Sequence, residues 1–119
     1  MNDGALTLEI EGPVICAKFR GEIDLSNVRE LREELTGITP NYALGIIFDL
    51  SEVDYLDSAG LRMIQLLRED LRVRSQRLQL VIPDDSVIRD VLRLAGLNWT
   101  DDVVLTVEAG RRTLAPEAG

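Results

Sequence analysis

Ser58 is the side chain of this 119-residue chain whose setting invites chemistry. It stands in Asp57-Ser58-Ala59-Gly60, with Glu52 and Asp54 just upstream and a further acid at Asp24. A serine attacks only when a neighbouring base takes its proton. The chain contains no histidine, so neither a Ser-His-Asp nor a Cys-His arrangement can be built, and imidazole metal sites are excluded. A Gly-x-Ser-x-Gly elbow is also absent. The chain is therefore read as a non-enzyme. Asp24, Asp49, Asp54 and Asp57 could offer Mg²⁺ one or two carboxylates. Scattered loop acids in a chain of net charge −8 are more often solvated charges or helix caps, so no intrinsic metal or cofactor is expected. There is no Gly-x-x-x-x-Gly-Lys phosphate loop, and the one lysine, Lys18, falls in a strand.

Two readings of Ser58 remain. In one, Asp57 caps a helix and Ser58 is a polar first-turn residue. In the other, Ser58 is a phosphorylation switch. An exposed hydroxyl at a helix N-terminus is open to a kinase, and a phosphate would add about −1.5 to −2 charge beside Asp57. The helix dipole offsets that by only about 0.3–1 kcal/mol at an exposed site. The fold would tolerate the phosphate where a docked acidic or apolar surface would not.

The elements that must position Ser58 follow from periodicity. Residues 45–50, Gly-Ile-Ile-Phe-Asp-Leu, form an apolar run without polar alternation, which predicts a central parallel strand covered on both faces. Residues 51–56 read as a short linker. Residues 61–74 form an amphipathic helix with Gly60, Met63, Ile64, Leu67 and Leu71 on the core side. Ser58, Arg62, Gln65, Glu69 and Arg72 lie opposite. Leu66 and Val73 fit neither face and sit on the flank beside Arg62, which marks a line for a partner surface. A strand feeding a helix start places its loop at the carboxyl edge of a sheet, where α/β folds carry their sites.

Upstream, Leu6, Leu8 and Ile10 alternate with polar residues, Gly12-Pro13 is a turn, and residues 14–20 form a second strand, giving an antiparallel hairpin. Asp24, Ser26 and Asn27 are possible N-caps, and Asn27 with Glu30 fits a capping box. Val28, Leu31 and Leu35 then mark a helix ended by Gly37. Downstream, residues 78–82 form a strand stopped by Pro83, and Asp84-Asp85-Ser86 starts a helix. That helix's apolar face is Val87, Ile88, Val91, Leu92, Leu94 and Ala95, and Gly96 is its stop. Trp99 lies in a loop. Residues 103–107 read as a last strand, and residues 108–114 as a short helix weakened by Gly110. The fold class is thus α/β: an N-terminal β-hairpin leading into a mixed, largely parallel sheet with packed helices. One domain is expected over 1–119, ordered from about 5 to 114 with a frayed C-terminal tail.

Composition bounds the partners. At 45% hydrophobic the chain can bury a core. Its negative charge argues against a duplex-binding surface, which needs clustered Lys and Arg, and favours a partner with a basic patch. The lone Cys16 packs as a small hydrophobe in a strand and makes no internal disulfide. No apolar run approaches membrane-spanning length and the N-terminus lacks a signal-peptide pattern, so the expected location is the cytoplasm, without membrane or direct nucleic-acid contact.

The run 48–61, Phe-Asp-Leu-Ser-Glu-Val-Asp-Tyr-Leu-Asp-Ser-Ala-Gly-Leu, resembles the signature of the STAS family, which comprises bacterial anti-sigma factor antagonists and the cytoplasmic domains of sulphate transporters. Gly21-Glu22-Ile23-Asp24 resembles that family's first block, and residues 91–97, ending Leu94-Ala95-Gly96-Leu97, its third helix and stop. The resemblance covers residues 6 to 107. It implies that Ser58 matches the phosphoacceptor of an antagonist. The partner would be an ATPase-like protein that is both serine kinase and anti-sigma factor, bound when Ser58 is free and released when it is phosphorylated. A serine phosphatase would reset the switch, and ATP and Mg²⁺ would belong to the kinase. Asp57 matches the acid that shapes the acceptor loop, and Asp24 an acid near the acceptor. With Gly60, Leu61, Arg62 and Leu66 they make up the expected acceptor loop and partner surface. Ala59 stands where many members have a second Ser or Thr, and the segment from Glu108 is a weaker helix than is usual in the family. The N-terminal segment is too short for a transporter or sensor domain. The competing expectation is a non-switching STAS subunit of a transport or other assembly, with Ser58 only a helix residue.

Overall fold

A computed structural model of the chain describes residues 5–95 and 102–116. Strands β1 (Ala5–Glu11) and β2 (Val14–Ile23) form the predicted hairpin, antiparallel from Ala5 opposite Arg20 to Glu11 opposite Val14. Then follow α1 (Val28–Ile38), β3 (Gly45–Leu56), α2 (Ser58–Val73), β4 (Arg77–Val81), α3 (Val87–Leu94), β5 (Val103–Val104) and α4 (Val107–Leu114). The sheet runs β1-β2-β3-β4-β5, with every pair after the hairpin parallel. The parallel strands therefore end at one edge, and the loops into α1 and α2 leave from neighbouring strands.

Alternation along β3 divides the core. Ile46, Phe48 and Leu50 point into a large cluster with Leu31 and Leu35 of α1, Met63, Ile64, Leu67 and Leu71 of α2, and Ile88 and Leu92 of α3. Ile47 points the other way, into a smaller cluster with Val14, Val81 and Leu114 of α4, against which Cys16 is half-buried. Both faces of the central strand are dry, which is why its sequence shows no polar alternation. The predicted core face of α2 is buried throughout.

Several boundaries differ from the sequence reading. The predicted linker 51–56 is strand: β3 runs 12 residues, with Val53 and Leu56 buried. Its partner β2 continues past Arg20 to Ile23, and two register shifts between them, each with one extra residue on β3, absorb the break in alternation. Gly37 does not end α1, whose last helical residue is Ile38. On α3 the core residues are Ile88 and Leu92, with Val91 half-buried; Val87, Leu94 and Ala95 are exposed. Leu94 falls about 120° around the helix from Ile88, at about 100° per residue. The last strand is two residues long, because the Thr106 hydroxyl accepts from the Ala109 amide (3.1 Å) and opens α4 there. Gly110 supports α4: a Cβ would lie 3.3 Å from Ile47, so bare backbone lets the helix sit close on the sheet. Gly96, Leu97 and Trp99 lie outside the described residues.

Candidate functional site

The first loop leaves β2 at Ile23. The Asp24 carboxylate accepts from the Ser26 amide (2.9 Å) and the Ser26 hydroxyl (2.5 Å), a local turn. These donors favour the ionised acid and hold its carboxyl below the usual carboxylate range, the hydroxyl having the larger effect. Asn27 is the N-cap residue of α1, but the predicted capping box with Glu30 does not form, since its side chain makes no cap bond to the helix. That side chain is buried and turned back: its oxygen accepts from the Asp24 amide (3.0 Å) and its amide donates to the Glu22 carbonyl (2.8 Å). Asn27 holds the loop at the cost of capping the helix.

The second loop leaves β3 at Leu56. Asp57 is the N-cap of α2, one carboxylate oxygen accepting from the Gly60 amide (2.8 Å). Its other oxygen accepts from the Leu25 amide in the first loop (3.3 Å), and its own amide donates to the Ile23 carbonyl (3.3 Å). Asp57 thus ties the two loops together. Gly60 permits the closeness: a Cβ there would stand 2.4 Å from Leu56 Cδ1 and 2.9 Å from the Ile23 carbonyl oxygen. Gly60 is buried, so its part in the site is packing; Leu61 is half-buried against the main core.

Ser58 follows as the first residue of α2 and is exposed. Among the described residues none is hydrogen-bonded to its hydroxyl: the neighbouring Asp57 is committed to backbone amides while the Ser58 hydroxyl is free. Asp24, Leu25, Ser26, Tyr55 and Asp57 line an open depression of about 390 Å³. Asp49 is buried and accepts from the Ser51 amide (2.9 Å), and Asp54 is exposed. Among the described residues no three metal-ligating side chains are grouped to hold an ion.

Arg62 and Leu66 lie on the other side of Ser58. With Val28, Arg29 and Arg32 of α1, and Ala59 and Met63 of α2, they line a groove of about 190 Å³ between the two helices. Its floor is apolar and its rim carries three arginines and no acid. Arg32 is held by Asp70, whose carboxylate takes both its Nε (2.7 Å) and its Nη2 (2.9 Å). Those bonds hold the Asp70 carboxyl below its usual range. Arg29 and Arg62 make no ion pair among the described residues. The rim thus departs from the acidic character of the chain. Val73 lies further along the same helix pair, 79% exposed, beside a second cleft lined by Arg32, Asp70 and Arg74.

The STAS domain model matches residues 3–109. The chain belongs to the STAS domain family. A Bordetella bronchiseptica relative, BtrV, described as a candidate anti-sigma factor antagonist, is 30% identical over 67 residues, which is 56% of this chain and 58% of that protein's length. Among solved structures, an anti-sigma factor antagonist from Mycobacterium paratuberculosis superposes with a TM-score of 0.79 at 21% identity, covering 94% of each chain. The anti-sigma factor antagonist SpoIIAA in its unphosphorylated form gives 0.77 at 20% identity, covering 97% of this chain and 100% of its own. A sulfate transporter family protein from Wolinella succinogenes gives 0.68 at 14% identity, covering 92% and 93%. At these identities the structures share the STAS fold, five-stranded mixed sheet included.

Sequence reasoning missed part of what surrounds Ser58 in this STAS chain. Leu25 (77% exposed) and Tyr55 (49% exposed) line the depression; an apolar residue between the two polar N-cap candidates Asp24 and Ser26 was the available signal for Leu25. Val28, Arg29 and Arg32 line the groove. They are spaced on one side of α1, but the packing of α1 on α2 alone shows what they face. No helix among the described residues is long and apolar enough to cross a membrane.

Proposed function

We propose that this STAS chain is an anti-sigma factor antagonist acting in the cytoplasm as one domain. While Ser58 is free it binds an anti-sigma factor that is also an ATPase-like serine kinase, which frees a sigma factor, and it releases that partner once Ser58 is phosphorylated. ATP and Mg²⁺ belong to the kinase, and a serine phosphatase restores the hydroxyl. The observation that carries this reading is the exposed, unpartnered Ser58 hydroxyl at the start of α2, beside an acid, Asp57, already bound to two backbone amides. Such an acid shapes a loop for a kinase and does not activate a nucleophile, which supports binding over catalysis.

The partner surface includes Asp24, Asp57, Leu61, Arg62 and Leu66, with Gly60 packing the loop beneath them. The apolar floor and basic rim of the groove suit a partner that presents acidic and apolar side chains. Leu66→Asp is expected to weaken partner binding at least tenfold with thermal unfolding near wild type; a large loss of stability would make Leu66 a core residue instead.

The direct test is partner binding by Ser58 variants. Ser58→Asp is expected to lose the kinase, and Ser58→Ala to bind it and resist release by ATP. If folded Ser58→Asp bound as tightly as wild type, the switch would be wrong and the domain would be a non-switching subunit of a larger assembly. The fold itself is compatible with that outcome, as the sulfate transporter relative has it too.

A further inference from the structure

Arg62 stands four residues after Ser58 on α2, and both are exposed. Side chains four apart on a helix share a face, and each leans toward the helix N-terminus. The Arg62 guanidinium is therefore carried toward Ser58. An acid N-terminal to its cation at this spacing is the favourable order. The residues one turn to either side of Arg62 are Ser58, Ala59, Gln65 and Leu66, none of them acidic, and Arg62 has no ion pair among the described residues. It is a cation without a counter-ion in a chain of net charge −8.

We propose that Arg62 is the internal counter-ion of a phosphate on Ser58, and that the switch works partly by withdrawing Arg62 from the rim of the α1–α2 groove. Unmodified, Arg62 and Arg29 offer the groove's two unpaired positive charges to an acidic, apolar-anchored partner segment. Phosphorylated, Ser58 presents a dianion one helical turn from Arg62, and a charge-assisted pair forms. Neither Asp57, bound to the Gly60 and Leu25 amides, nor Asp24, bound to Ser26, pairs with Arg62 among the described residues. The groove keeps Arg29, which faces it from α1, and loses Arg62. One phosphate therefore acts twice: it adds repulsion at the helix start, and it cancels an attraction in the groove beside it.

This rests on Ser58 being the switch, but its test needs no kinase. Phosphoserine is installed at position 58 by semisynthesis, and its second ionisation is followed by ³¹P NMR. A guanidinium beside the phosphate stabilises the dianion and lowers that pKa. Asp24, Asp57 and Arg29 act alike in all variants, so the difference isolates Arg62. Wild type is expected to titrate roughly half a unit below Arg62→Gln, a shift in the range of an exposed helical ion pair strengthened by phosphate charge. Arg62→Lys should restore most of the shift, and 1 M salt should reduce it, since the Debye length there is only about 3 Å. Equal values in wild type and Arg62→Gln would overturn the proposal, as would a shift lost in Arg29→Gln and kept in Arg62→Gln. A positive titration with no kinase found would leave the pairing standing and count against the switch alone.

Discussion

The loops into α1 and α2 leave adjacent parallel strands at one edge of the sheet, each carries an acid beside a serine, and they are built in opposite ways. In the first, Asp24 folds onto its own Ser26, and the N-cap residue Asn27 turns its side chain into the loop. The serine there is bound and α1 starts without a side-chain cap. In the second, Asp57 caps α2 and reaches across to Leu25, and its serine is left free. The contrast shows that an Asp-x-Ser or Asp-Ser pair is not a site by composition. What distinguishes Ser58 is that the acid beside it bonds only to backbone amides and leaves the hydroxyl unbonded.

The contrast can be broken most severely at Gly60. Alanine there would press on Leu56 and the Ile23 carbonyl, forcing the loops apart and costing about 1–3 kcal/mol by overpacking, readable in chemical denaturation. Asn27→Ala is expected to cost about 1–2 kcal/mol, since it leaves the Asp24 amide and Glu22 carbonyl without their buried partner. Amide hydrogen exchange should rise in the first loop and stay unchanged in α2. Asp57→Ala should cost about 1 kcal/mol and Asp57→Asn only a few tenths, because either oxygen-bearing side chain can cap. Equal losses would mean that the charge, and not the cap, holds the loop. The smallest effect belongs to Asp24. Its folded pKa lies below its unfolded value, so its contribution is complete above the unfolded pKa and is lost as pH falls through the folded one. The stability difference between wild type and Asp24→Asn should be flat at neutral pH and shrink below about pH 4, as measured by urea unfolding across pH.

Much of this was legible in the sequence because it is local or periodic. The apolar run of β3, the core stripe of α2 and the Asp57 cap each follow from neighbours within one or two turns. The strand character of residues 51–56 was hidden because its alternation breaks at the register shifts with β2, and those depend on the partner strand. Asn27 could cap or anchor on the same local pattern; its bond to the Glu22 carbonyl decided it. Gly110 looked like a helix breaker because its benefit, contact with Ile47, lies across the sheet. The groove was half legible. Arg62 and Leu66 stood out on α2, while Val28, Arg29 and Arg32 gained meaning when α1 packed beside it.

The most direct test of the central claim is site-resolved mass spectrometry of the protein after incubation with ATP, Mg²⁺ and lysate of its own host, beside Ser58→Ala. The account predicts one phosphate, on Ser58, absent from the alanine variant. Phosphate elsewhere and unchanged in Ser58→Ala, or none on folded protein in a lysate whose kinases are shown to be active, would contradict it.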